Sequence, residues 1–287
     1  MSANLLDGKA ISASIREGIA NEVQDLKGKG VTPGLAVILV GDDQASHTYV
    51  RNKERACEQL GIYSELIKLP ADVAEEELLG RLHDLNADSK INGILVQLPL
   101  PKHINEKRVI ETINPAKDVD GFHPINIGRM MTKQEALLPC TPFGILKMVK
   151  ETGIDIKGKH VVVIGRSNIV GKPVGQLFLN EDATVTYCHS KTKDLRAYTA
   201  QADILIAAVG VAKMIKADDV KKGAIVIDVG MNRDEDGKLH GDVDFDEVKE
   251  VASLITPVPG GVGPMTITML MEQTVRAATR KMNENSN

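Results

Sequence analysis

The sequence predicts an α/β protein of two domains, the second a doubly wound and mainly parallel sheet, and three observations predict it. Short continuous apolar runs alternate with helical periodicity along the chain. A proline-rich, irregular stretch interrupts that alternation near the middle. A glycine-rich turn follows one apolar run and opens a helical segment. An apolar run without polar alternation suits a strand buried on both faces, as in a parallel sheet covered by helices. Strands alternating with helices then give repeated βαβ units.

Each element can be justified in turn. Residues 9–27 carry Ile11, Ile15, Ile19, Val23 and Leu26 at helical spacing, and Gly28 and Gly30 stop that helix. Leu35-Ala-Val-Ile-Leu-Val40 is a strand ending at Gly41. A helix over 44–60 is closed by Gly61, a residue suited to a left-handed C-cap. A strand over 62–68, a helix over 74–87 and a strand at Gly93-Ile-Leu-Val-Gln97 complete the first block. Residues 114–142 contain Pro115, Pro124, Pro139 and Pro142, and the domain junction is placed there. Strands resume at His160-Val-Val-Val-Ile164, Ala183-Thr-Val-Thr-Tyr187, Asp203-Ile-Leu-Ile-Ala207 and Ala224-Ile-Val-Ile-Asp228. A long helix over 265–282 closes the chain, with Pro264 in its first turn, where a missing N–H is harmless.

Bulk properties narrow the function. A length of 287 residues is comfortable for two domains. The net charge of -4 offers no global attraction to nucleic acid or an anionic membrane. There is no Trp, with only 4 Phe and 4 Tyr, so base-stacking platforms are not expected. No apolar stretch is long enough to span a bilayer, and the first residues do not read as a signal peptide. Cys57, Cys140 and Cys188 are odd in number and widely separated, so neither a metal site nor a disulfide framework is expected. They read as small buried hydrophobes in a reducing cytoplasm.

The run Val161-Val-Val-Ile-Gly165-Arg-Ser-Asn-Ile-Val-Gly171-Lys-Pro-Val-Gly175 departs from the usual G-x-G-x-x-G fingerprint. Ser167 takes the second glycine position, and Gly171 comes one place late. The context is nonetheless that of a Rossmann-type pyrophosphate site: strand, tight turn at Gly165, then helix N-terminus. An NAD enzyme places an acid at the end of the next strand to bind the ribose hydroxyls. This chain has Tyr187-Cys-His-Ser190-Lys191-Thr192 and no carboxylate. Ser190, Lys191 and Arg166 would suit a 2′-phosphate, which points to NADP.

In the first domain Tyr49 and Lys53 lie four apart and share a helical face. A lysine desolvated in a cleft can exchange protons near neutrality. Alone, such a pair is also what a solvated helix presents. Gln97, at the C-terminal end of a buried strand, stands where open α/β sheets bind ligands. Asp118 and Asp120 place carboxylates in the junction, and a carboxylate can accept two hydrogen bonds from an amino-pyrimidine edge. Of the two, Asp118 is assigned to turn chemistry.

Seven runs together carry a resemblance: Tyr49-Val-Arg-Asn-Lys53, Val96-Gln-Leu-Pro-Leu-Pro101, Lys117-Asp-Val-Asp-Gly121, Pro139-Cys-Thr-Pro142, Gly165 to Pro173, His189-Ser-Lys-Thr192, and Pro257-Val-Pro-Gly-Gly-Val-Gly-Pro-Met-Thr266. In their order and over nearly the whole chain, they resemble the bifunctional methylenetetrahydrofolate dehydrogenase/methenyltetrahydrofolate cyclohydrolase family. The resemblance implies oxidation of 5,10-methylenetetrahydrofolate by NADP+, then hydrolysis to 10-formyltetrahydrofolate, in one-carbon metabolism and purine biosynthesis. It implies Lys53 as the central catalytic residue, Tyr49 packed over the folate, Gln97 tuning Lys53, and Asp120 on the pterin edge. Val96, Leu98, Pro259, Gly260 and Gly261 would line the folate site, the 259–261 loop lying between the domains. The cofactor would be held by Gly165, Arg166, Ser167, Ile169, Val170, Gly171, Pro173, His189, Ser190, Lys191, Val209, Gly210, Gly230 and Thr266. The resemblance also implies domains of 1–138 plus 268–287 (folate-binding, catalytic) and 139–267 (NADP-binding), and a cytoplasmic homodimer formed through the NADP-binding domains. Many bacterial members carry Arg at position 191; Lys191 keeps the charge but loses the bidentate fork. A dehydrogenase-only relative, a non-catalytic folate- or nucleotide-sensing module, and a dehydrogenase for another small metabolite are the rival readings.

Overall fold

The apolar runs become strands whose side chains are buried on both faces, as in Leu35, Ile38, Val161 and Val163. A computed structural model describes residues 2–284. The first half runs β1 (Asn4–Leu5), α1 (Gly8–Gly28), β2 (Gly34–Val40), α2 (Gln44–Leu60), β3 (Tyr63–Leu69), α3 (Glu75–Ala87) and β4 (Gly93–Val96). Three helices follow: α4 (Glu106–Thr112), α5 (Pro124–Met131) and α6 (Cys140–Glu151). The second half runs β5 (His160–Ile164), α7 (Gly171–Asn180), β6 (Thr184–Cys188), α8 (Leu195–Thr199), β7 (Ile204–Ala207), β8 (Ile225–Asp228), β9 (Asn232–Arg233), β10 (Leu239–His240), α9 (Phe245–Val248), β11 (Leu254–Ile255) and α10 (Val262–Glu284). Gly61 takes the left-handed C-cap at φ 71 with its N–H on the last turn of α2, as its position predicts.

The chain divides into two compact units. One contains Ser14–Cys140 with Ile267–Asn287. Its sheet is parallel, in the order β3-β2-β4. One face of that sheet packs Ile38, Ile94 and Val96 against Leu78, Leu82 and Val109 from α3 and α4. The stretch expected to be irregular around 114–142 holds α5 and the start of α6. Pro124 occupies the first turn of α5 and Pro142 that of α6, while Pro115 and Pro139 lie in the irregular segments that remain between the helices, as expected.

The other unit contains Met1–Ala13 with Thr141–Thr266. Its sheet is parallel throughout, in the order β1-β11-β8-β7-β5-β6. Strand order reverses around β5, between β6 and β7, so the loops after β5 and β7 flank the crevice where such sheets take their ligands. The sequence reading assigns residues 1–13 to the first domain, whereas in the structure they cluster with the second unit. The reason is local: Asn4 and Leu5 add a parallel edge strand to Leu254 and Ile255, and Lys9 N–H donates to the Gly260 carbonyl at 3.2 Å.

Candidate functional site

Helix α2 is capped by Asp43, whose carboxylate accepts the Ser46 N–H at 2.7 Å. From that start Val50, Lys53, Cys57 and Leu60 fall on one stripe, and all four are buried. Lys53 is thus a lysine in an apolar stripe, only 9% exposed. Tyr49, one turn earlier, is half-buried. Strand β4 delivers the partner. Gln97 directly follows the buried Val96, and its N–H is fixed on the Ile38 carbonyl at 2.8 Å. Its side-chain Oε1 accepts Lys53 Nζ at 2.9 Å, while Nε2 donates to the Leu98 carbonyl at 2.7 Å. The second contact sets which end of the amide faces the lysine.

The Asp118–Asp120 segment runs beside β4, with Ile94 N–H on the Lys117 carbonyl at 2.8 Å and a parallel bridge from Ile94 to Asp118. This carries Asp120 toward the strand end that bears Gln97. Asp118 accepts the N–H groups of Phe122 (3.2 Å) and His123 (2.8 Å) and Asn126 Nδ2 (2.9 Å), the turn role expected of it. Burial pushes its carboxyl up to about 7 against the pull of those donors. Burial lowers the Lys53 ammonium, and the neighbouring Asp120 opposes the shift. Burial raises Asp120, and Lys53 opposes that in turn. Cys140, read from sequence as a small hydrophobe, is buried as expected, but its thiol joins this cluster. Its single S–H has two acceptors within reach, the Val119 carbonyl at 3.1 Å and the Asp120 carboxylate, and burial lifts it well above the usual thiol range.

In the other unit Gly165 ends β5 at φ 124, and a Cβ there would lie 2.2 Å from the Ala208 carbonyl oxygen. A Cβ on Gly171 would meet the Gly165 carbonyl oxygen at 2.5 Å, so turn and helix start are packed against each other. Ser167 closes the turn that leads into α7: its Oγ accepts the N–H groups of Val170 (3.1 Å) and Gly171 (3.2 Å), and its carbonyl accepts Lys172 N–H (3.0 Å). Residues 166–169, Ile169 among them, are exposed, and Val170 is half-buried. Among the described residues no main-chain oxygen takes the N–H groups of 166–169. Pro173 is buried in the first turn of α7. At the end of β6 the loop is closed by His189 N–H on Thr192 Oγ1 (2.8 Å) and Lys191 N–H on His189 Nδ1 (3.2 Å), leaving Ser190 and Lys191 exposed. Free amides beside a helix N-terminus, with a hydroxyl and a cation and no acid at the next strand end, fit a phosphorylated dinucleotide.

The remaining expected residues are tied into this unit's own framework. Val209 and Gly210 donate their N–H groups to Asp242, and Gly230 donates to Asp228 Oδ1. Thr266 Oγ1 shares a hydrogen bond with Thr141 Oγ1 at 2.9 Å. Pro259 is exposed, while Gly260 and Gly261 are buried. A Cβ on Gly8 would lie 1.8 Å from the Gly261 carbonyl oxygen, which holds residues 259–261 close to the start of α1.

Two family models match this chain: the tetrahydrofolate dehydrogenase/cyclohydrolase catalytic domain over residues 6–120, and the NAD(P)-binding domain of the same family over residues 139–282. The chain belongs to the tetrahydrofolate dehydrogenase/cyclohydrolase family. A curated family member, the bifunctional protein FolD of Geobacillus thermodenitrificans, is 66% identical over 278 residues, covering 97% of this chain and 98% of that one. The crystal structure of the FolD methylenetetrahydrofolate dehydrogenase/cyclohydrolase from Campylobacter jejuni superposes with a TM-score of 0.96 at 53% identity, covering 98% of this chain and 100% of that one. The Trypanosoma brucei FolD structure, complexed with NADP cofactor and inhibitor, gives 0.94 at 38% identity, covering 98% and 99%.

Within the family frame, sequence reasoning missed the buried carboxylates Asp228 and Asp242. Asp228 accepts Gly230 N–H (2.9 Å), Asp242 N–H (2.8 Å) and Val243 N–H (3.0 Å), and burial raises it to about 6. One signal was available: an acid closing the run Ala224-Ile-Val-Ile-Asp228, and another directly after Gly241.

Proposed function

We infer that the chain oxidises 5,10-methylenetetrahydrofolate to the 5,10-methenyl cation with NADP+, then hydrolyses that cation to 10-formyltetrahydrofolate. The observation that carries this reading is a buried Lys53, hydrogen-bonded to Gln97 beside Asp120, in a chain matched from end to end by the bifunctional family. When bound, NADP+ supplies the acceptor for the hydride leaving the methylene carbon. That carbon lies between two nitrogens, so the cation formed is already stabilised and hydride loss needs no strong base.

Hydrolysis does need proton transfer. Water adds to the methenyl carbon and gives up one proton to leave a hydroxyl. That hydroxyl then loses its proton as the C=O forms, the bond from the carbon to N5 breaks, and N5 takes a proton, so that one proton is released overall. Lys53 is the group we assign to these transfers, because burial brings its ammonium below the ordinary lysine value, toward the range where acid–base work is efficient. Gln97 orients it, Tyr49 packs over the folate, and Asp120 receives the pterin edge while balancing the Lys53 charge. Val96, Leu98 and residues 259–261 complete the folate contacts. Residues 165–171 and Pro173 receive the pyrophosphate, and Arg166, Ser190 and Lys191 the 2′-phosphate. His189, Val209, Gly210, Gly230 and Thr266 frame the rest of the cofactor site.

The finer reading is a cytoplasmic enzyme serving purine synthesis and acting as a homodimer through the NADP-binding domains. Exposed Leu179 and Tyr187, on α7 and the edge strand β6, support that pairing. The catalytic domain is drawn at 1–138 with 268–287, less the N-terminal segment that joins the cofactor unit.

The test is a spectrophotometric assay with methylenetetrahydrofolate and NADP+, following both formation and decay of the methenyl product. The wild type should form and then consume it. Lys53→Ala should leave methenyl hydrolysis undetectable while NADP+ binding survives. A variant that hydrolyses the methenyl compound at the wild-type rate would remove Lys53 from the reaction; a wild type that forms the product but never consumes it would favour a dehydrogenase-only enzyme.

A further inference from the structure

The loop after β7 presents an arrangement that the cofactor reading does not use. Asp242 is fully buried, and its carboxylate accepts four donors. Val209 N–H (2.6 Å) and Gly210 N–H (3.0 Å) reach Oδ2; Val211 N–H (2.9 Å) and Asn232 Nδ2 (2.9 Å) reach Oδ1. A carboxylate has about four lone-pair directions, so this one is saturated by donors and needs no cation. Three consecutive amides converging on one anion form a nest. Here the anion is supplied by the protein.

A second carboxylate locks the first. Asp242 donates its own N–H to Asp228 Oδ1, and Asp228 N–H donates to Thr256 Oγ1 at 2.8 Å. Space is made by two glycines: a Cβ at 230 would lie 2.3 Å from Asp242 Oδ1, and one at 241 would lie 1.7 Å from Asp228 Oδ2. The held loop borders the β5–β7 crevice, since Ala208 N–H is on the Ile164 carbonyl and Gly165 abuts the Ala208 carbonyl.

We propose that Asp242, seated on Asp228, is a positioning residue for the dinucleotide site: it fixes residues 209–211 in one main-chain conformation before the cofactor arrives. The proposal rests on the NADP reading. It has a sharp corollary. The amides of 209–211 are already occupied, so phosphate recognition falls to residues 166–169 and the N-terminus of α7, and the 209–211 loop meets the cofactor as a preformed wall.

The test is Asp242→Asn. An amide keeps one acceptor oxygen and turns an NH2 toward N–H donors, so at least one loop amide loses its partner: Val209 and Gly210, or Val211. If the competent loop is then populated about one-tenth of the time, the Kd for NADP+ by calorimetry rises about tenfold. The Kd for NAD+ should rise by the same factor, because the 2′-phosphate contacts at Ser190 are untouched. Hydrolysis of methenyltetrahydrofolate without added cofactor should keep its wild-type kcat, which a general collapse would not. An unchanged Kd for NADP+ in a folded Asp242→Asn protein overturns the proposal while leaving the cofactor reading intact. Failure of the wild type to bind NADP+ overturns both. Should Asp242→Asn not fold, Asn232→Ala removes one donor from the same carboxylate. It should weaken NADP+ and NAD+ in parallel and by less, and wild-type affinity for both would overturn the proposal.

Discussion

Replacing Gln97 with Leu removes the acceptor from Lys53 Nζ while keeping most of the side-chain volume. The lost contact is a 2.9 Å hydrogen bond from a charged donor, and Lys53 is 9% exposed, so little water can replace it. A hydrogen bond to a charged group contributes about 1.5–3 kcal/mol. That energy favours the ammonium over the amine, so its loss lowers the Lys53 pKa further, beyond the lowering that burial causes. Gln97→Glu acts in the opposite sense, since a carboxylate at the same place favours the ammonium. The assay is the pH–rate profile of methenyl hydrolysis. The limb governed by Lys53 should move to lower pH in Gln97→Leu and to higher pH in Gln97→Glu, with the NADP+ Kd unchanged in both. If the two variants shift the limb in the same direction, or not at all, Lys53 is not tuned through Gln97.

Two further outcomes follow from the site. Ser190→Ala should lower kcat/KM for NADP+ by roughly tenfold or more, the worth of one charge-assisted hydrogen bond, and leave the NAD+ value unchanged; equal losses for both cofactors would refute the 2′-phosphate assignment. Asp118 is raised from 3.8 to about 7 by burial, so its contribution to stability is full below pH 3.8 and disappears as pH rises through about 7, a span of roughly 4 kcal/mol. Asp118→Asn does not titrate and keeps only one acceptor oxygen, so at least one of the three donors loses its partner. Urea unfolding should therefore find it less stable than wild type at pH 5, with the gap narrowing by pH 8; a gap that widens would contradict the raised carboxyl.

The parts of this molecule that are legible in its sequence are those where one physical demand dominates. Strands β2, β4, β5, β7 and β8 are buried on both faces, so they must read as apolar runs, and each was found within about a residue or two. Strands of two residues, such as β1 and β11, carry no period and could not be seen. Lys53 was legible as a member of a helical stripe, but its burial depends on what α2 packs against. Cys140 was legible as a buried residue and not as a hydrogen-bond donor to Asp120, because nothing near position 140 in the sequence announces position 120. Asp228 and Asp242 were passed over for a related reason, despite the acid that closes the run to Asp228. An aspartate is ordinarily a surface residue, and only main-chain amides brought from three separate loops make burying these two tolerable.

The pairing of β1 with β11 bears on how the protein is made. Asn4 pairs with Leu254, so β1 waits for about 250 further residues before its partner exists, on the order of ten to fifty seconds of translation. The units exchange the chain at residues 13–14, 140–141 and 266–267, so neither is a contiguous stretch that could close while the ribosome is still adding the other. Assembly of the cofactor unit is thereby postponed until β11 has been made. A fragment cut from residue 139 onward would lack β1 and leave β11 as an open edge, a template for unwanted association between nascent chains.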